Sequence, residues 1–204
     1  MVKRDQEIID SLKKFRVLDR NQLIQLHFQN NKTPWVVANR VLKRLVDTKK
    51  IEVSKDARMY NYFPSPRSIS KTSTKIPHFK EIANFYLSLL PYAKPPIFEV
   101  EFKTGGGKGM IEPDAFMKWS GADGKLRAYF VEIQRSVYTK KQMENKRDLY
   151  LKYKDSGLWK EHAKFFPAII LVTDKKYNVD FSPLNVVQVP HIDKFVEKIR
   201  KQIV

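Results

Sequence analysis

Residues 111–134 read IEPDAFMKWSGADGKLRAYFVEIQ, and the remainder of the chain is arranged around them. The stretch predicts two strands joined by the Gly121-Ala122-Asp123-Gly124 turn, because Asp-Gly in a short polar loop between alternating runs favours a hairpin. Each strand carries a carboxylate at its far end, Asp114 on the first and Glu132 on the second. With Trp119 or Ser120 paired to Leu126, Asp114 falls opposite Glu132 or one residue off, their Cβ atoms about 4.5–5.5 Å apart. Two bare carboxylates at that distance repel, so one takes up a proton or both share a cation. Gln134 lies two residues beyond Glu132, and the strand period of two puts both on one face while Val131 and Ile133 fill the other. A plain hairpin with solvated acids satisfies the same spacing.

Pro113, Asp114, Glu132 and Gln134, in this order across a hairpin, resemble the PD-(D/E)XK signature of the restriction-endonuclease-like superfamily. The resemblance implies that Asp114 and Glu132, with the backbone carbonyl of Ile133, hold a divalent metal and that a lysine activates water. Mg²⁺ or Mn²⁺ suits such a site, since Mg²⁺ accepts one or two carboxylates and keeps several waters. The metal would lower the pKa of a bound water and stabilise the leaving oxygen. The departure is Gln134 in place of the lysine, a change shared by some active members of the superfamily. Glutamine cannot carry the missing positive charge.

The chain has 204 residues, room for one large domain or two small ones, and a formal net charge of +17. Such a surface draws polyanions, nucleic acid first and membrane surfaces second. No run of 18 or more apolar residues occurs and MVKRDQEIID has no signal-peptide core, so a soluble, cytoplasmic protein is expected. The absence of cysteine excludes disulfides and Cys-ligated zinc, and His27, His78, His162 and His191 lack metal-ligand spacing. Residues 1–78 carry 17 basic and 7 acidic side chains, net +10, so the shorter part of the chain is the more basic.

Ile8, Ile9, Leu12 and Phe15 predict a first helix over residues 4–15. Asp19 with Gln22 has capping-box spacing, and Leu18 with Leu23 can form a hydrophobic staple, opening a second helix. Thr33-Pro34 opens a third, with Val37, Ala38, Val41, Leu42 and Leu45 inward. Trp35, Asn39, Arg40, Lys43 and Arg44 are its candidate DNA contacts. Residues 51–53 and 59–63 form a hairpin whose tip bears Lys55 and Arg58. Three helices and a hairpin make a winged helix-turn-helix, whose third helix enters the major groove. Asn and Arg there can bond adenine and guanine edges, while Lys55 and Arg58 would reach phosphates. A small helical domain with a solvated basic face is the alternative.

Residues 67–78, rich in Ser, Thr and Pro, are the expected linker between domains 1–66 and 79–204, either extended or laid along a domain surface. An amphipathic helix over 79–90 and a strand over 97–103 follow, then the glycine-rich loop 104–109, which lacks P-loop spacing. That loop is a plain turn, or a tip whose Lys108 touches a phosphate. Beyond the hairpin, Thr139 caps a helix to about Asp155 with Met143, Lys146, Arg147, Tyr150 and Tyr153 inward. Lys146 on that stripe either snorkels to solvent or supplies a cation to Asp114 and Glu132. Strands over 168–172 and 186–189 and a helix from about Asp193 to Ile203 close the chain.

The expected class is α+β, a winged helix-turn-helix followed by an αβββαβ domain of restriction-endonuclease-like type. Residues 19–51, IEPDAF, FVEIQRS and the helix from Lys146 to Tyr153 together resemble the replication-relaxation family of plasmid and mobile-element proteins of Gram-positive bacteria. The resemblance implies double-stranded DNA binding in plasmid regulation and leaves catalysis open. The leading expectation is a regulator of transcription or replication, a homodimer on a palindromic site, needing no cofactor to bind DNA. Its nuclease-like domain would supply a dimer contact or further DNA surface. The alternatives are a Mg²⁺- or Mn²⁺-dependent endonuclease or nickase using Asp114, Glu132, Gln134 and Lys146, and a non-catalytic replication adaptor.

Overall fold

The structure, a computed structural model, describes residues 2–56, 59–107, 109–120, 124–191, 193–195 and 197. Arg58, Lys108 and the 121–123 part of the hairpin turn lie outside the described residues, as does most of the expected closing helix. The chain is α+β with two sheets, and it divides into two units, Met1–Leu87 and Ser88–Val204. Among the described residues no helix is long and apolar enough to cross a membrane.

In the first unit, α1 (Lys3–Phe15) buries Ile8, Ile9, Leu12 and Phe15, the stripe that its periodicity predicts. Strand β1 (Leu18–Asp19) leads into α2 (Arg20–His27), and Asp19 and Gln22 form the expected capping box. Helix α3 (Pro34–Asp47) starts with proline in its first turn, where the missing N–H costs nothing, and buries Ala38, Val41, Leu42 and Leu45. Strands β2 (Ile51–Asp56) and β3 (Met59–Pro64) form the hairpin, three pairs longer toward its tip than the sequence suggests because Ser54 pairs with Asn61, Lys55 with Tyr60 and Asp56 with Met59. Strand β1 joins β3 through Leu18↔Tyr62 and Asp19↔Asn61, giving the order β1-β3-β2. Two residues are too few to announce a strand by alternation.

Helix α4 (Ile76–Leu89) begins before the expected Phe79, and the unit boundary falls within it rather than between 78 and 79. Its first-unit portion packs there. Phe15 and Tyr86 rings lie 5.3 Å apart, Gln22 donates to the Lys80 carbonyl and the Asn84 side chain, and Lys80 pairs with Asp19 at 2.9 Å. The segment before α4 lies along the same unit. Arg67 and Lys71 both reach Glu52 on β2, at 2.6 and 3.2 Å.

In the second unit five strands run in the order β4 (Ile97–Val100), β5 (Ala115–Ser120), β6 (Leu126–Ile133), β7 (Ala168–Val172) and β8 (Val186–Val189). The first three are antiparallel, and β6, β7 and β8 are parallel. Strand β4 stops short of the expected Lys103 because Glu101 takes a left-handed φ of 50°, ending the alternation. Helix α5 (Lys140–Ser156), capped by Thr139 and Gln142, crosses between β6 and β7. It packs Tyr150 and Tyr153 into a core with Phe102, Phe116, Phe130 and Ile169.

Candidate functional site

The β5–β6 register pairs Ser120 with Leu126 and Ala115 with Val131, so its continuation beyond β5 would set Asp114 opposite Glu132. Asp114 stands just ahead of β5, where its Oδ2 accepts the backbone N–H of Ile133 at 2.7 Å. Glu132 is 2 % exposed. Its Oε2 accepts from Lys146 Nζ at 2.5 Å and its Oε1 from Tyr150 O–H at 2.7 Å. Met143, Lys146 and Tyr150 lie at three- and four-residue steps, so one stripe of α5 faces the end of β6. Gln134 meets the same stripe, its Nε2 3.2 Å from Met143 Sδ, while its Oε1 is buried without a partner among the described residues. Arg147 departs from the expected stripe. It turns aside to Asp148 and the Asp180 carbonyl.

Burial raises the proton affinity of Glu132, opposed by the Lys146 charge and reinforced by the nearby Asp114. Burial also acts against the Lys146 ammonium, but Glu132 and Asp114 outweigh it and hold the lysine charged, above its ordinary pKa. Tyr150 is pushed well above its ordinary value by burial and then by Glu132, so it remains a hydrogen-bond donor. Lys146 is therefore not a snorkelling surface lysine. Its side chain is 20 % exposed and its head is drawn to the carboxylates.

This arrangement does not fit the divalent ion that the superfamily resemblance implies. Both Glu132 oxygens are engaged, the cation position is held by an ammonium, and among the described residues no third His, Asp or Glu joins the pair. A metal would have to displace Lys146.

The first unit has a different surface. On α3, Trp35 is 49 % and Val36 65 % exposed, and Asn39, Arg40 and Lys43 also face outward. Lys43 is paired with Asp47 at 2.7 Å on the exposed side. Arg44 binds the buried Asp5 of α1 at 2.6 Å, which makes it a strut between helices as well as a surface charge. Lys55 is exposed on β2 near Met59 and Tyr60, each 41 % exposed. Arg20, absent from the expected set, lies beside α3. Its guanidinium stands 5.0 Å from the Trp35 ring centroid and donates to Asn39 Oδ1 at 3.3 Å. The sequence signal for Arg20 was its place as first residue of the capped helix, which a reading of one helix face at a time passes over.

No family model matches the chain, and no curated protein matches it.

Proposed function

We propose that the protein is a sequence-specific double-stranded DNA-binding regulator of transcription or replication, of the plasmid replication-relaxation type. The first unit acts as a winged helix-turn-helix, with α3 in the major groove and the β2–β3 hairpin as the wing on the phosphates. The observation that carries this reading is the outward set Trp35, Asn39 and Arg40 on a helix whose opposite face is core, in the more basic part of a +17 chain. The second unit is a nuclease-like domain that contributes a homodimer contact or additional DNA surface, and DNA binding needs no cofactor. The Lys146–Glu132 ion pair favours this non-hydrolytic role over an endonuclease or nickase.

The test is selection of a bound sequence from a random duplex pool, followed by titration of Arg40→Ala. Loss on the selected site with little loss on random duplex supports base reading. Equal loss on both, or no selected sequence, rejects it. Supercoiled plasmid incubated with Mg²⁺ or Mn²⁺ should stay intact. Nicking abolished by both Asp114→Asn and Glu132→Gln would establish the enzymatic alternative instead.

A further inference from the structure

The second unit has a cleft of about 820 Å³ bounded by the turn end of the β5–β6 hairpin and by the segment leading into β7. It lies by Leu126 and Arg127, at the opposite end of β6 from Glu132, so it is separate from the acidic pair. Four basic side chains line it, Lys118, Lys125, Arg127 and Lys164, and among the described residues no acidic one does. Apart from Asn185, its other walls are apolar or aromatic, including Leu126, Tyr129, Phe166 and Val187.

Two successive phenylalanines behave differently here. Phe166 is anchored in the core, its ring 5.8 Å from Phe130 and 5.6 Å from Trp159. Phe165 is 74 % exposed at the cleft, with the Lys164 ammonium 5.6 Å from its ring centroid. An aromatic ring presented from an anchored backbone is a platform that costs little entropy to cover. The charge complement of the cleft is anionic, and its aromatic wall fits a planar apolar group. Duplex DNA supplies the anion but keeps its base faces stacked inside. An unpaired nucleotide offers both, a phosphate for the cations and a free face for the ring.

We propose that this cleft binds single-stranded DNA, with a base stacked on Phe165 and the backbone phosphates on Lys118, Lys125, Arg127 and Lys164. This does not rest on the duplex reading by α3, and the two separate cleanly in experiment. Fluorescence anisotropy of the full chain with labelled oligo-dT of about 15 nucleotides should give salt-sensitive binding. Phe165→Ala and Lys164→Ala should each weaken it, the former about tenfold or more, with duplex affinity unchanged. Phe165→Tyr, which keeps the ring, should retain it. Arg40→Ala should show the reverse pattern, losing the selected duplex and keeping oligo-dT. Because Phe165 is exposed, its truncation removes no core contact, and an unchanged melting temperature checks that point. The proposal is overturned by oligo-dT affinity indifferent to both cleft variants, or by equal loss of duplex binding in Phe165→Ala. Displacement by polyglutamate or by an abasic oligonucleotide as effective as by oligo-dT would also overturn it, since either would mean a charge site with no use for the ring.

Discussion

Around Glu132, a carboxylate taken out of water accepts from one ammonium and one phenol. Removing one partner of a buried ion pair strands the other charge, so Lys146→Met should lower stability by about 3 kcal/mol near neutral pH. The sign of its pH dependence follows from the direction of the Glu132 shift. A group whose folded pKa lies above its unfolded value stabilises the fold below the unfolded pKa, and that contribution is lost as pH rises through the folded pKa. Without Lys146 the folded pKa of Glu132 rises further. The deficit of the variant in urea denaturation should therefore grow as pH rises above the ordinary glutamate range. Mn²⁺ should raise the melting temperature of Lys146→Met and leave that of the natural protein unchanged. A comparable Mn²⁺ shift in the natural protein would show that the ammonium does not hold the cation position. On α3, Arg20→Ala should free Asn39 Oδ1 and alter which base is preferred at its contact, at a cost of about 1–3 kcal/mol on the selected site.

Among the elements, α2 and α4 are joined by polar contacts that no single segment contains. Asp19 caps α2 through the Gln22 N–H and also receives Lys80, while Gln22 reaches α4 at Lys80 and Asn84. Asp19→Ala should cost about 1 kcal/mol from the cap alone. Part of the loss should vanish when Lys80→Ala is already present, which a double-mutant cycle measures. Helix α4 also covers Phe15 with Tyr86. A fragment ending at residue 66 should consequently be less stable than one ending at 89, seen as a lower urea midpoint. Equal midpoints would mean that α4 contributes nothing to the first unit.

For the whole molecule, a +17 charge would govern how a nucleic acid is approached rather than which sequence is read. Each phosphate neutralised should contribute about −0.9 to the slope of log affinity against log salt on duplex. Lys55→Ala should make that slope shallower by about one and weaken selected and random duplexes alike, unlike Arg40→Ala. A two-fold symmetric site implies a dimer, so sedimentation should show two chains per selected duplex. One chain per duplex would remove the dimerisation role from the second unit.

Local order was legible in the sequence because its causes are local. The capping box at Asp19, the cap at Thr139, the proline start of α3, the apolar stripes and a β5–β6 hairpin with Trp119 or Ser120 opposite Leu126 all depend on residues close in the chain. From that hairpin the sequence put Asp114 opposite Glu132 or one residue off, and the register with Ser120 on Leu126 is the one the structure adopts. The sequence could not choose between the two fates of Lys146, because helical spacing fixes a face and not what that face meets. The α5 crossover between parallel β6 and β7 decided that, bringing Lys146 and Tyr150 onto Glu132. Long-range packing likewise joined β1 to β3, drew Arg20 to Asn39 and tied Arg44 to Asp5. A buried carboxylate must find a donor and an apolar helix face must find a core, but which donor and which core depend on elements distant in sequence. Only the folded chain specifies them.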